Sequence, residues 1–561
     1  MFDVFRDREM WVKFRCDKAY RPLLDMLMKE YSEVCADAEI PQLPFSLWYS
    51  AVTKGERQEY DYLYIKRRRQ MSVYALLSML YPEKNEYIEK LQDVINVICE
   101  EYSWCLPVHL STKLLNKRET IDLFAAETGL YFAEIKYILH DSLAPLIIER
   151  MTREIKWRIT DSMKDNVYGF EKVRNNWAAV CGASVGVTLL YEDRDAFKVL
   201  RPRIEETMKN YLAGIEDDGS VSEGATYWQY GFGFYLIYCD MISRFTGDGR
   251  SFTEDDKLRR IAGFYSSICM SNGCKYSFGD SSAKVGFNIG NFYYINNCFD
   301  VSVPPLKYGG LSCNKFSWAL RSFLYYNPDV VGKSADNGVS YYEKIQCCVV
   351  RKHRYAFAIK GGNNDEGGTH NHNDIGSFVL TANDKQLLCD LGAPLYSLQS
   401  LAIDSYKSVL ERSSKGHNVP IINSCAQGHG KEYYGKLSIR DNVITVDMKN
   451  AYPVKINSLL RKVELLEDKV ILTDEYDNNI DLKERFITEI KPEISNGKII
   501  IEGLTISCGE YMKVNVEERH TLGHGGEKRT VFLIDISSNG KKGEMKFEFL
   551  IDQSITRNDS L

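Results

Sequence analysis

A change of hydrophobic period near residues 327–338 constrains this 561-residue chain more than any other feature. Before it, apolar residues recur at spacings of three and four. Examples are "YDYLYIKRRRQMSVYALLSMLY", "NEYIEKLQDVINVICEEYSWCL", "DRDAFKVLRPRIEETMKNYLAGI" (193–215) and "YWQYGFGFYLIYCDMISRF" (227–245). That spacing makes the apolar stripe of a helix. Short breaks such as "YPEKNE" and "DDGSVSEGA" join helices of similar length, which predicts antiparallel pairs stacked in an array or closed into a toroid. After it come short β-branched runs, including "QCCVVRKHRYAFAIKGG", "KLSIRDNVITVDMK", "RKVELLEDKVILTDEY" and "RTVFLIDISS", separated by turns of Asn, Asp and Gly. Strand following strand with no helix between them predicts an antiparallel sandwich. The expected fold is therefore multidomain α+β: an N-terminal (α/α) toroid or incomplete helical barrel over 1–330, then a C-terminal antiparallel β-sandwich over 340–561.

Bulk composition narrows the function classes. A hydrophobic content of 44% with 26% charged residues describes a globular chain, and a net charge of −6 speaks against a general nucleic-acid binder. An anionic substrate would then need a locally basic cleft. The runs "KRRRQ" (Lys66 to Arg69) and "RKHR" (Arg351 to Arg354) are the candidates, and either also reads as a solvated face. The opening "MFDVFRDREMWVKFR" carries charges every few residues and reads as no signal peptide; no apolar run approaches the ~20 residues of a membrane span. The 15 cysteines form no CxxC pair, and the adjacent Cys347 and Cys348 point to opposite faces of a strand. The expectation is a cytoplasmic protein with no membrane partner, with secretion after removal of a leader left open. All seven tryptophans, Trp11 to Trp318, precede the change of period, where they serve packing or the stacking of sugars.

Three stretches carry candidate chemistry. "VRNNWAAVCGAS" holds Asn175 and Asn176, readable as a helix N-cap or as functional amides. "SVSEGATYWQYG" holds Glu223, Tyr227 and Tyr230, readable as core or as catalytic groups. The third is "GGTHNHNDIGSF" (367–378), which spends two of only nine histidines, His370 and His372, two residues apart. Asp390 in "LLCDLGAP", His417 in "RSSKGHNVPI" and His429 follow it. Zinc takes imidazole nitrogens and carboxylate oxygens, and residues i and i+2 of a regular strand share a face, so both histidines could hold one ion. Gly367 and Gly368 leave open that the pair divides its duties between a metal and catalysis, and a role in neither stays open too.

"NNWAAVCGA", "SEGATYWQYGFGF", "HNHNDIGSFVL", "LLCDLGAPLY" and "RSSKGHNVPI" stand in the order found in the heparinase II/III-like polysaccharide lyases, and "SWCLPVH" (103–109) fits as well. The chain resembles that family over roughly residues 100 to 480. The resemblance implies an (α/α) toroid with antiparallel sandwich sheets, and β-elimination on uronate-containing glycans of glycosaminoglycan type, leaving 4,5-unsaturated uronate ends. Such a reaction needs a group to neutralise the uronate carboxylate, a base for the C5 proton and an acid for the departing O4.

By the resemblance, Asn176, with Asn175 as second choice, is the neutraliser, since an amide donates without titrating. Tyr227 is the catalytic tyrosine and His370 the catalytic histidine. His372, Asp390 and His417 hold a structural zinc ion, and no organic cofactor is implied. Glu223 orients the site, and Tyr230, Trp177, Arg174 and Arg412 are further substrate-binding candidates. A histidine common near the neutraliser is replaced here by Trp177, which leaves the carboxylate to one amide plus an arginine such as Arg174 or Arg412. A cytoplasmic location would favour oligosaccharides over long polymers. Two alternatives stand beside the lyase: a toroid glycoside hydrolase with two carboxylates ~6.5–9.5 Å apart, drawing on Glu223, Asp217 or Asp218, and a non-catalytic glycan-binding protein. A homo-oligomer is compatible with either half.

Overall fold

Helices that are apolar on all sides alternate along the chain with helices that are apolar along one stripe. Among the former, α6 (Leu123–Ile138) buries twelve of its sixteen residues and α8 (Asn176–Glu192) fourteen of seventeen. Among the latter are α5 (Asn85–Cys99), α7 (Pro145–Ile155) and α9 (Arg194–Leu212), whose buried positions repeat every three to four residues. A helix buried all round must be surrounded by other helices, and a striped one must cover them from outside. The packing follows: α8 lies on α6 and α9, α4 (Gln58–Leu80) on α5, and α5 on α7. The last helix of this half, α13 (Phe316–Tyr325), returns to pack on α4 and α6, as a ring of inner helices requires. These elements belong to a computed structural model, which describes residues 3–37, 39–110, 118–333, 336–365, 370–402, 404–508, 512–538 and 543–552. Gly367 and Gly368 lie outside the described residues. No described helix is long and apolar enough to cross a membrane.

The chain divides into two compact units. One comprises Met1–Ile215, Trp228–Ala262 and Gly286–Gly332; the other comprises Glu216–Tyr227, Gly263–Val285 and Lys333–Leu561. Two stretches from the helical half thus group with the strands. Backbone and side-chain bonds tie the second of them there: Cys274 Sγ to the Asp384 carbonyl (2.7 Å), Gln386 Nε2 to the Lys275 carbonyl (3.1 Å) and Ser277 Oγ to the Asp390 carbonyl (3.0 Å). No hydrophobic period announces such a tie.

The strand-rich unit holds three antiparallel sheets. Five strands, β1 (Gly338–Tyr342), β2 (Cys347–Arg351), β3 (Ala356–Lys360), β5 (Phe378–Ala382) and β6 (Lys385–Leu388), pair in that order. A nine-stranded sheet contains β4 (Gly362–Asn364) and most of the strands from Gly430 onward; a four-stranded sheet contains β7 (Ile421–Ile422), Leu482–Thr488, Met512–Leu522 and Lys528–Ser538. Their inner faces share one core, in which Phe357, Phe378, Phe486, Phe547 and Phe549 are fully buried. Both β2 and β5 are buried at every position, so Cys347 and Cys348 are both inside although their side chains alternate. All 15 cysteines are free thiols.

Three arginines of the basic runs are buried rather than solvated. Arg67 and Arg68 are 3% exposed and share the Glu101 carboxylate, while Arg351 is buried against the Ser267 carbonyl (2.8 Å) and Ser340. Burial of α4 on all sides leaves its arginines no other choice than ion pairing. In the second unit Arg461, at 0% exposure, binds Asp474 (2.9 and 2.8 Å), Glu484 (2.8 Å) and the carbonyls of Gly376 and Asn418 (2.8 and 2.7 Å). It therefore pins the chain just after the two-histidine loop and just after His417. Asn418 adds a second pin, donating to the Phe378 and Cys389 carbonyls (2.6 and 3.0 Å).

Candidate active site

The two-histidine loop is fixed by the loop that faces it. Gly279, at φ +65°, lets the chain turn so close to His370 that an added Cβ would lie 2.8 Å from the His370 carbonyl. The Asp280 amide donates to that same carbonyl at 3.1 Å. On the other side Gly392, at φ +63°, leaves no room for a side chain, since a Cβ would meet the Ser281 carbonyl at 2.2 Å. Asp280 is held between these contacts.

Its carboxylate collects three donors. Oδ2 faces His370 Nδ1 at 2.9 Å and accepts from Tyr396 Oη at 2.7 Å, while Oδ1 faces His372 Nε2 at 2.9 Å. Burial would raise the Asp280 carboxyl, but hydrogen bonds from His370 and His372 overcome it and hold the group well below the ordinary carboxylate range. An ionised carboxylate only accepts, so the ring nitrogen that faces it, His370 Nδ1, carries a proton, and in the neutral ring the lone pair is on Nε2. The same reasoning puts the His372 proton on Nε2. Both histidines thus serve one carboxylate, yet His370 keeps a side-chain exposure of 18% and His372 has none.

Tyr227, third residue of α10 (Ala225–Thr246), stacks on the His370 ring with centroids 4.0 Å apart and planes at 26°. Its hydroxyl lies 2.8 Å from that of Tyr396. Since Tyr396 donates to Asp280, the proton between the two phenols comes from Tyr227. Burial, Asp280 and Tyr227 together push the Tyr396 phenol far up, so it stays protonated. Tyr227, Tyr396, Asp280 and His370 form one hydrogen-bonded chain, all within the strand-rich unit. Glu223 lies half-buried on the same Glu216–Tyr227 segment.

The proposed metal ligands also meet. His372, Asp390 and His417 are buried and can each aim one ligand atom within 4.8 Å of the others. His417 Nδ1 faces Asp390 Oδ2 at 2.9 Å, and attraction to that carboxylate raises the imidazole pKa against the opposing effect of burial. His372 Nδ1 and His417 Nε2 are buried with no hydrogen-bond partner. Two orphaned imidazole nitrogens converging beside a carboxylate fit a zinc-like cation, with Asp280 and the Gly392 amide (2.9 Å to Asp390 Oδ1) as outer supports.

Arg412 corrects an expectation. It is 1% exposed and spends its guanidinium on the Ser400 carbonyl (2.6 Å), Ser405 Oγ (3.1 Å), Tyr406 Oη (3.3 Å) and the Asn371 carbonyl (3.5 Å). It braces the residue after His370 and presents no face to a substrate. His429, without a role in the sequence, stacks on Tyr406 at 3.5 Å, and Tyr406 in turn lies under Arg412.

In the helical unit Asn175 is the N-cap of α8, accepting from the Trp177 amide at 3.1 Å, and Asn176 is the first helical residue, 2% exposed. The capping reading therefore holds for Asn175. Trp177 meets the ring of His109 edge-on at 4.9 Å, and His109 Nδ1 faces Asp122 Oδ2 at 2.7 Å. An imidazole from "SWCLPVH" thus lies against Trp177, the residue after Asn176. Arg174 is exposed. Tyr230 bonds Glu127, and Lys315, 2.8 Å from that carboxylate, lies 3.8 Å over the Tyr230 ring.

Asp280, Tyr396 and His109 were not singled out from the sequence. Tyr396 ends the quoted "LLCDLGAPLY", so its position was visible but its role was not. Asp280 sits in "YSFGDSS", where only the Gly-Asp pair marks a turn.

Neither a family model nor a curated protein matches the sequence. Solved structures do match. Heparinase III superposes with a TM-score of 0.62 at 14% identity, over 90% of this chain and 78% of that one. The heparan sulfate lyase HepC from Pedobacter heparinus gives 0.57 at 13%, over 97% and 89%. The chondroitin AC lyase of Streptomyces coelicolor A3 gives 0.54 at 11%, over 98% and 82%. The chain has the heparinase III fold. That fold agrees with the helical half and sandwich half read from the change of period.

Proposed function

We propose that this protein is a polysaccharide lyase that cleaves uronate-containing glycans by β-elimination. The observation that carries the reading is the chain Tyr227–Tyr396–Asp280–His370, which prepares an imidazole lone pair and a phenolic proton side by side. His370 Nε2, kept free by the bond from Nδ1 to Asp280, takes the C5 proton. The Tyr227 hydroxyl turns from Tyr396 to give its proton to the departing O4, and Tyr396, still protonated, turns its hydroxyl from Asp280 to donate to the phenolate. The uronate carboxylate needs a donor so that charge can spread there in the transition state, and Asn176 is the amide that the family resemblance implies for that role. Heparinase III, a heparan sulfate lyase and a chondroitin lyase share the fold, which favours a glycosaminoglycan-like substrate.

His372, Asp390 and His417 would hold a structural zinc ion, whose fixed charge would supply rigidity rather than electrons. His372 in that role keeps its Nε2 proton on Asp280, and Asp280 keeps the His370 ring in register.

The test is a panel of uronate polysaccharides and their oligomers, read by the ultraviolet absorbance of the unsaturated product. Activity lost in Tyr227→Phe with the fold intact supports the assignment. Cleavage without a double bond would make the protein a hydrolase, and full activity of Tyr227→Phe would remove Tyr227 from the mechanism.

A further inference from the structure

One imidazole beside this site has no part in the scheme above. The strands Met512–Leu522 and Lys528–Ser538 form an antiparallel hairpin, and His524 stands at its tip in "LGHGGEK". The turn is closed by the Gly523 amide on the Glu527 carbonyl and the Gly526 amide on the Gly523 carbonyl, both at 2.9 Å. Gly526, at φ +83°, adopts a conformation that a side chain would strain. Three ties bind the tip to the chain around Tyr396, all within the strand-rich unit. Gly523 forms an antiparallel bridge with Pro394, Arg529 donates to the Leu391 carbonyl (2.7 Å), and Thr521 donates to Glu411.

His524 is held in a defined pose. Its Nδ1 lies 3.2 Å from the Pro394 carbonyl, which only accepts, so Nδ1 carries a proton. Its ring stands edge-on to Tyr396, with centroids 4.5 Å apart and planes at 82°. Nε2 points away from Pro394 and has no hydrogen-bond partner among the described residues, and the residue is exposed. The rings also say which end of the reaction it borders. Tyr396 bonds Tyr227, the acid at O4 (2.8 Å), while the base His370 lies 6.3 Å from the Tyr396 ring. His524 packs on Tyr396 and so borders the phenol end. In β-elimination O4 departs with the neighbouring sugar, so the group beside the phenols is that sugar and not the uronate. Charge narrows the partner. The Glu527 carboxylate folds over Gly523 and Gly525, on either side of His524, where a Cβ on either glycine would meet it. Arg529 is spent on Glu489 (2.7 Å) and the Leu391 carbonyl. A carboxylate at the tip disfavours a sulfate. A sugar hydroxyl donates and accepts, so it pairs with Nε2 in either protonation state, whereas a sulfate pairs with the protonated ring alone.

We infer that His524 is a specificity-determining residue of this site, whose Nε2 bonds a hydroxyl of the departing sugar. The inference rests on the lyase reading, which makes Tyr227 the acid and so fixes which sugar lies there.

The test compares His524→Ala and His524→Gln with the parent, on unsulfated and sulfated uronate hexasaccharides, by the ultraviolet absorbance of the unsaturated product. An exposed side chain at a turn is removed without opening the core, so both variants should fold. His524→Ala should lower kcat/KM on the unsulfated hexasaccharide about three- to tenfold, the range of one neutral hydrogen bond, with the change in KM. His524→Gln, whose amide offers a donor and an acceptor near the Nε2 position, should recover about half of that loss or more. The pH profile of kcat should stay in place. A shifted profile means that His524 acts through Tyr396 and overturns the contact. A larger loss on the sulfated than on the unsulfated hexasaccharide makes the partner a sulfate and overturns the hydroxyl. Unchanged kcat/KM in a folded His524→Ala overturns the inference, while the parent's unsaturated product upholds the lyase reading. A parent that yields no unsaturated product from either hexasaccharide overturns both.

Discussion

Replacing Asp280 with Asn tests whether the buried carboxylate sets the proton position on His370. The side chain keeps its shape but loses its charge and one acceptor. If the amide oxygen stays on His372, the amide nitrogen faces His370 Nδ1 and Tyr396 Oη, where both groups now donate. Tyr396 can rotate its hydroxyl. His370 can relieve the conflict only by moving its proton to Nε2, which removes the lone pair that would take the C5 proton. A general base contributes roughly 10²–10⁴-fold, so kcat should fall about 10²–10³-fold, which is about 3–4 kcal/mol of barrier, with KM little changed.

Stability should respond as well. Charge-assisted bonds contribute about 1.5–3 kcal/mol each, and two of the three weaken. The Asp280 carboxyl is held below its unfolded value, so its contribution is present above pH ~4 and is lost as the pH falls through the folded value. The variant should therefore be less stable than the parent at neutral pH and show a flatter acid limb. The assay is initial-rate ultraviolet absorbance alongside thermal denaturation from pH 7 down to about pH 3, below the unfolded value. A folded variant with kcat within threefold of the parent would refute the reasoning, because the tautomer would then not depend on Asp280.

Tyr396→Phe removes one donor from Asp280 and the partner of Tyr227, and should lower kcat about 10–100-fold while shifting the pH profile of kcat; an unchanged profile would take Tyr396 out of the proton path. His417→Ala should abolish stoichiometric zinc in protein purified without chelator and lower the melting temperature by a few degrees, at about 1–2 °C per kcal/mol for a chain or unit this long; metal-free and fully stable parent protein would remove the metal site. Lys275 is 3% exposed, and burial pushes its ammonium down to about 8 from the ordinary 10.5. Stability should therefore rise between pH 8 and 10.5 as the unfolded state alone stays charged, by up to about 3 kcal/mol. Lys275→Met should remove that rise and stabilise the protein at pH 7, which denaturant titration at the two pH values checks. Gly279→Ala, which drives a methyl group toward the His370 carbonyl at φ +65°, should cost about 1–3 kcal/mol and reduce activity with it.

Much of the architecture was legible because it is periodic. A run of three-and-four spacing can bury itself only as a helix, and the alternating β-branched runs after residue 340 can bury themselves only as strands. The order of motifs also singled out His370, His372, Asp390, His417 and Tyr227 as candidates. Other parts were not legible, because they depend on contacts between residues far apart in sequence. Asp280 lies 90 residues before His370 and 116 before Tyr396, in a stretch with no hydrophobic period. Arg412 read as a free cation and turned out to be a buried brace. A positive charge in a sequence says nothing about which carbonyls will surround it.

Local patterning along the sequence determined the elements, their order and the residue types available for chemistry. The tertiary structure alone decided which imidazole nitrogen carries a proton, which phenol stands beside it and which arginines are spent on structure. Those outcomes depend on distances of about 3 Å between groups that only the closed chain brings together.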